Sequence, residues 1–247
     1  MTRYDGLTSE ELGRRVQAPR CLVFERVTST LDVVHEQAAA GAPSGTLVVA
    51  DEQVAGRGRQ GRPWISHPGA GVWLGYLARP QHGGERGVAA LRVGLATADA
   101  LADLGITARL KWPNDLVVRD RKAGGVLCEA RWADDRLRWM AIGVGINVRG
   151  PIPHGLEERA VALDEERPSV SRVAVLERLV PRLHRLPDRL ELTEGELRQF
   201  HMHDWLADRR IDAPVRGRAR GIDAEGALLV ETDNGMERIV GGGIVAA

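Results

Sequence analysis

Two lysines stand in this chain, Lys111 and Lys122, beside 32 arginines, the 34 basic residues less these two. Both fall in one stretch, RLKWPNDLVVRDRKAGG, residues 109–125. An ammonium is a compact point charge with rotatable donors, whereas a guanidinium is a larger, planar fork. GC-rich coding favours Arg, Ala, Gly and Val, and the chain is rich in all four. An exposed lysine would drift to arginine under that bias. Two retained lysines therefore point to positions that need a small, movable cation.

A second group of chemical residues precedes them. GRGRQGR, residues 56–62, alternates bare backbone at Gly56, Gly58 and Gly61 with guanidiniums at Arg57, Arg59 and Arg62. It matches G-x-G-x-x-G in form, but that fingerprint must join a strand to the first turn of a helix. Here Pro63 and Trp64 follow, and no amphipathic pattern begins before about residue 84. A Walker A loop would end in Gly-Lys-Ser/Thr. Glycine allows close backbone approach, arginine binds phosphate or carboxylate through paired bonds, and Trp64 offers a flat face to a base. These features suggest a loop that closes over a polyanion, such as a nucleotide lid. A solvated basic loop or a nucleic-acid contact is the competing reading.

The elements that must position these groups are legible in the patterning. Helices are expected over 8–16, 28–41, 84–105 (the longest apolar helical pattern) and 193–209. A further helical segment over 171–190 should be kinked or broken at Pro181. Strands are expected over 21–26, 46–53, 72–80, 108–113 and 115–120. Two longer strands, 122–132 and 137–148, should join as a hairpin at Asp134-Asp135. Strands interleaved with helices and a hairpin imply a mixed α/β or α+β domain. From residue 213 the texture becomes short strands between AEG and DNG turns, that of a small barrel. A boundary is placed near 210, giving a main domain over 1–209 and a small domain over 210–247.

Length, 247 residues, allows one or two domains, and acids and bases balance at 34 each. No global attraction to DNA or to an acidic membrane is indicated. Cys21 and Cys128 lack disulfide or metal-ligand spacing. The start shows no signal-peptide h-region, and no apolar run is long enough to span a membrane. A cytoplasmic protein is expected.

Taken in order, GRGRQGR, KWPND, RKAGGVLCE and GVGINV are very similar to the biotin–protein ligases, and GIDAEGALLV resembles their small C-terminal SH3-like barrel. The resemblance runs from about residue 22 to 245. It implies activation of biotin by MgATP to biotinyl-5′-AMP, then transfer to one lysine of a biotin carboxyl carrier domain of an acyl-CoA carboxylase. It also implies a central mixed β-sheet flanked by helices. With about 20 residues before the first strand, it suggests the monofunctional form without the DNA-binding domain, as a monomer or homodimer.

The resemblance also assigns roles. Lys122 would sit where the biotin carboxylate meets the α-phosphate, with Arg57 and Arg59 neutralising charge. Lys111 would touch phosphate or support Asp115. Asp115 would be a magnesium-side carboxylate or a base near the incoming lysine; a plain turn aspartate is the alternative. Ser29, Thr30 and Gln53, with backbone at Gly56, Gly124 and Gly125, would hold biotin, although Ser29 and Thr30 also fit simple helix caps. Gly58, Arg62, Trp64 and Asn114 join the nucleotide side. Asn147 would lie near adenine and ribose, or else simply end a strand. Trp73 is expected in the core.

The chain departs from the family pattern at Leu31, where asparagine is usual, and at Gly243, where an acidic residue is usual. Rival readings are a lipoate–protein ligase or octanoyltransferase, a nucleic-acid-binding module, and a silent biotin sensor. The Gly/Arg loop with the C-terminal barrel argues against the first, neutral charge against the second, and intact Lys122 and Asp115 against the third.

Overall fold

In the computed structural model, which describes residues 2–80 and 86–246, chain order runs through five helices and twelve strands among the described residues. Strands β1 (Arg20–Val27), β2 (Thr46–Gln53), β3 (Gly71–Ala78), β4 (Arg109–Lys111), β5 (Asp115–Val118), β6 (Arg121–Ala133) and β7 (Arg136–Asn147) form one sheet in the order β1-β2-β3-β7-β6-β5-β4. Only β1 and β2 run parallel; the other pairs are antiparallel. The hairpin between β6 and β7 turns at Asp134 and Asp135, both at positive φ, the geometry a two-residue primed turn requires.

Alternation along the strands feeds two helical layers. On one face Val48 and Leu77 pack under Leu31, Val34 and Ala38 of α2 (Thr30–Ala39). On the other, Leu47, Val49, Leu74 and Tyr76 join a larger core with α3 (Arg86–Ala102) and α4 (Arg172–Leu183). Helices α1 (Ser9–Arg15) and α5 (Glu194–His203) carry capping boxes at Thr8 and Thr193, where the cap hydroxyl and a third-position glutamate satisfy free backbone amides.

Positions 84 and 85 of the expected third helix lie outside the described residues. Pro181 falls in the last turn of α4, which stops at Leu183 instead of continuing to residue 190. Proline has no amide for the Glu177 carbonyl one turn back, and the helix ends two residues after it.

The last strands, β8 (Arg210–Ala213), β9 (Gly217–Ile222), β10 (Leu228–Thr232), β11 (Gly235–Ile239) and β12 (Val245–Ala246), form an antiparallel sheet ordered β11-β10-β9-β8-β12. Its end strands β11 and β12 do not pair with each other among the described residues, so the small barrel expected from the sequence is an open five-stranded ladder. Ile211, Ala219, Leu228 and Val230 belong to the same buried cluster as the main sheet. The indole Nε1–H of buried Trp112 donates to the Gly226 carbonyl at 2.9 Å, tying the turn after β4 to the C-terminal sheet.

Candidate active site

A cavity of about 500 Å³ opens on the α2 face of the main sheet. Its floor is the glycine-rich crossing of β6 and β7, where Gly125 pairs with Gly145. A Cβ at Gly145 would stand 2.8 Å from the Trp64 ring, so the missing side chain is what seats this indole on the sheet. Trp73 lies beneath at 2% exposure, edge-on to Trp64 and bonded to the Asp51 carbonyl; it is core, as expected.

Most of the expected site residues meet here. Ser29, Thr30, Gln53, Arg57, Gly58, Arg59, Arg62, Trp64, Lys111, Asn114, Asp115, Lys122 and Gly125 all line the cavity. Gly56, Gly124 and Asn147 are not among its lining residues. Gly56 instead accepts the Trp64 amide at the loop base, and Gly124 lets β6 pass the Gly145 carbonyl, 2.6 Å from where a Cβ would lie. Asn147 ends β7, where its side-chain amide donates to the Val161 carbonyl at 3.3 Å.

Lys122 and Asp115 face each other across the β5–β6 ladder, with Nζ 2.6 Å from Oδ1. The same ammonium lies 5.3 Å from the Trp64 ring centroid, a cation–π arrangement. The backbone of Lys122 is fixed on its outer side, donating to the Arg159 carbonyl and accepting from Val161. Lys111 sits over the Trp205 ring at 4.9 Å. Burial lowers its pKa, with Asp115 opposing and Lys122 adding to the shift.

The Gly/Arg loop turns through a 3-10 segment, Arg59–Gly61, with Gln60 and Gly61 at positive φ. It leads into β3 rather than a helix, so the dinucleotide reading fails on structure as it did on sequence. Its guanidiniums divide. Arg57 is committed to two carboxylates, Glu129 and Asp32. Arg59 and Arg62 carry no carboxylate partner within salt-bridge distance among the described residues, and burial lowers the Arg59 pKa. Both approach the C-terminal glycine turn: a Cβ on Gly241 would lie 3.8 Å from Arg59, and one on Gly243 3.5 Å from Arg62. Gly242, Gly243, Ile244 and Val245 also line the cavity. The C-terminal segment thus reaches the site despite lacking the acidic residue at 243.

At the other end, Gln53 Oε1 accepts from both the Thr30 amide (2.9 Å) and the Thr30 hydroxyl (3.1 Å). Its amide group donates to Ser66 at 3.3 Å. Ser29 caps α2 through the Leu31 amide, so the cap role and the pocket position coincide. Leu31, 3% exposed, packs on Gly143 and gives an apolar wall.

Sequence reading missed Glu129, His35 and the glycine seat of Trp64. Gly143 and Gly145 were within GVGIN, and their spacing of two on one strand face was the available signal.

The site is thus a pocket with Ser29, Thr30, Gln53 and the Leu31 wall at one end, cations gathered at the other and, among the described residues, a single lining carboxylate, Asp115. That is the form of an enzyme joining a small acid to a nucleotide. The chain belongs to the biotin/lipoate A/B protein ligase family, whose model matches residues 23–147. The biotin protein ligase C terminal domain matches residues 210–245. Among curated relatives, the bifunctional ligase/repressor BirA of Bacillus subtilis is 32% identical over 95% of this chain and 74% of that protein. The biotin–[acetyl-CoA-carboxylase] ligase of Paracoccus denitrificans is 32% identical over 81% of this chain and 90% of that protein. Biotin protein ligase from Aquifex aeolicus, solved in complex with biotin and ATP, has a TM-score of 0.77 at 26% identity, covering 93% of this chain and 99% of that one.

Proposed function

We propose that the chain is a biotin–protein ligase that forms biotinyl-5′-AMP from biotin and ATP and passes the biotinyl group to a lysine of a biotin carboxyl carrier domain. The observation that carries this reading is the Lys122–Asp115 pair, set against Trp64 over a glycine floor in one cavity with Arg59 and Arg62. The biotin protein ligase C-terminal domain match and the biotin-ligase relatives support the choice of biotin over lipoate.

In the first step a biotin carboxylate oxygen bonds to the α-phosphorus while the bond to pyrophosphate breaks. Two anions must be held together as charge spreads over the phosphoryl oxygens. Lys122 is the movable cation between carboxylate and phosphate. Arg59, Arg62 and Lys111 balance the remaining phosphate charge. Ser29, Thr30 and Gln53 bind the polar head of biotin, with Leu31 against its apolar part. Trp64 packs against the nucleotide.

Magnesium supplies charge neutralisation on the phosphates. Among the described residues no cluster of His, Cys, Asp and Glu could hold a metal alone. Among the described residues Asp115 is the one carboxylate lining the cavity. One carboxylate plus substrate phosphates suits magnesium, so this donor set fits an ion that arrives with ATP. In the second step the carrier amine attacks the acyl carbon as a neutral base and AMP leaves. Asp115 is assigned either to the magnesium side or, in this step, to the released proton. The boundary near residue 210 is retained as that between catalytic and C-terminal units.

Among the described residues no helix is long and apolar enough to cross a membrane. A cytoplasmic ligase acting on a carboxylase subunit, without DNA, is the reading these features favour. The test is pyrophosphate release from MgATP with biotin, lipoate or octanoate, followed by transfer to a carrier domain. Biotin-dependent release and labelling of the carrier lysine are expected. Release with lipoate or octanoate alone would overturn the reading.

A further inference from the structure

One guanidinium of the Gly/Arg loop, Arg57, lines the cavity but is engaged by a network of carboxylates. Arg57 Nε donates to Glu129 Oε1 at 2.9 Å and Nη2 to Glu129 Oε2 at 3.3 Å. Its Nη1 stands 2.7 Å from Asp32 Oδ1. Glu129 Oε2 also meets His35 Nε2 at 2.8 Å, and the Trp139 indole donates to His35 Nδ1 at 2.9 Å. An indole N–H only donates. His35 Nδ1 is therefore the acceptor, and Nε2 carries the proton given to Glu129.

The carboxylate of Glu129 thus takes three donors from α2 and the loop. Bonds from His35 first and Arg57 next hold it far below the usual carboxylate range, at about 2, against the opposing effect of burial. The second carboxylate on Arg57, Asp32, is itself held by the Thr28 hydroxyl at 3.0 Å.

Arg57 is also the root of the loop. It forms an isolated bridge with Pro63, and around it Gly58 donates to Arg62 at 2.7 Å and Trp64 to Gly56 at 2.8 Å. Fixing Arg57 fixes both ends of residues 56–64. That segment carries Arg59, Arg62 and Trp64, the groups facing the cavity.

We infer that Glu129 is a positioning residue for the adenylation step, acting through Arg57 to hold the Gly/Arg loop in the shape that presents Arg59, Arg62 and Trp64 to the nucleotide. Arg57 is then a clasp rather than a phosphate ligand, with its charge spent on Asp32 and Glu129. The inference rests on the ligase reading above, but its geometry has a readout independent of activity. A lone structural ion pair would not couple Glu129 to the kinetics of ATP; a clasp does.

The experiment is a double-mutant cycle with Arg57→Ala, Glu129→Ala and the double variant, alongside Glu129→Gln. Biotin-dependent pyrophosphate release gives KM and kcat, and hydrogen exchange follows the amides of Gly58 and Trp64. Each single variant should lose at least 30-fold in kcat/KM for MgATP, with the biotin KM within twofold of wild type. The double variant should be no worse than either single within twofold. Amide protection at Gly58 and Trp64 should fall at least tenfold in all three. Glu129→Gln, which keeps the shape, should recover part of both losses, and it carries the same comparison should Glu129→Ala fail to fold.

Losses that multiply in the double variant, or a far larger loss in Arg57→Ala than in Glu129→Ala, would overturn the inference by placing Arg57 on the substrate. Unchanged amide protection in the Glu129 variants would overturn it as well. A wild-type protein with no biotin-dependent release would sink the ligase reading alone, and the exchange data would still decide whether Glu129 clasps the loop.

Discussion

Lys122 Nζ and Asp115 Oδ1 stand 2.6 Å apart on neighbouring strands, with the Trp64 ring over the ammonium. A carboxylate that tethers the ammonium without enclosing it leaves a cation able to turn toward a second anion. A guanidinium at 122 would pair with Asp115 through a fork and fill the space under Trp64. Neutralising Asp115 should therefore matter through Lys122. Asp115→Asn is expected to lower kcat for pyrophosphate release by at least tenfold, about 1.4 kcal/mol. Steady-state kinetics at saturating biotin and MgATP check it.

Gly145 makes the seat for Trp64, since a methyl there would press the ring at 2.8 Å. Gly145→Ala should displace the indole and weaken nucleotide binding roughly tenfold, about 1.4 kcal/mol, while the fold persists. Calorimetric titration with ATP and tryptophan emission report the two effects. Unchanged affinity and emission would mean that the seat is not needed.

Leu31 replaces the family's usual asparagine and belongs to the small apolar cluster with Val34, Val48 and Leu77. Restoring Leu31→Asn would bury an amide at a position 3% exposed. A loss of about 2 kcal/mol in unfolding free energy is expected, read by urea denaturation. The apolar wall is thus this chain's own solution, and the asparagine should not improve biotin binding.

Asp204 carries the clearest pH signature. It is 6% exposed, its Oδ2 has no partner among the described residues, and burial raises its pKa from 3.8 to about 6. The folded carboxyl keeps its proton to higher pH than the unfolded one. The folded state therefore binds more protons between the two values, and stability falls as pH rises from about 4 to about 6. The loss should be about 2 kcal/mol. Asp204→Asn should flatten that part of the profile in thermal melts taken at each pH.

Much of this was legible in the chain. The spacing of GRGRQGR, KWPND and RKAGG located the cations, and turn and cap residues located most of the elements. What the sequence could not give was partnership. Arg57, Arg59 and Arg62 look alike in one dimension. Only the fold brings Asp32 from α2 and Glu129 from β6 to the first of them and leaves the other two without a carboxylate partner among the described residues. Likewise only the fold shows that the side-chain amide of Asn147 meets the Val161 carbonyl. The open C-terminal ladder depends on which strand edges meet, which short alternating strands do not specify.

The lysine count has a further consequence for a reactive acyl adenylate. Amines on the protein itself are the two site lysines and the N-terminus. Self-labelling in biotin and MgATP without a carrier should therefore stay low, well under one biotin per chain by intact mass. Strong labelling would contradict this.

The most direct test of the central claim compares pyrophosphate release by the wild type and Lys122→Arg, with MgATP and biotin and no carrier. Biotin-dependent release in the wild type, cut by at least a hundredfold, about 2.7 kcal/mol, in a variant that still folds, is the predicted result. Equal release by the arginine variant would mean that any cation serves at 122, and the role assigned to a compact, movable ammonium would be wrong.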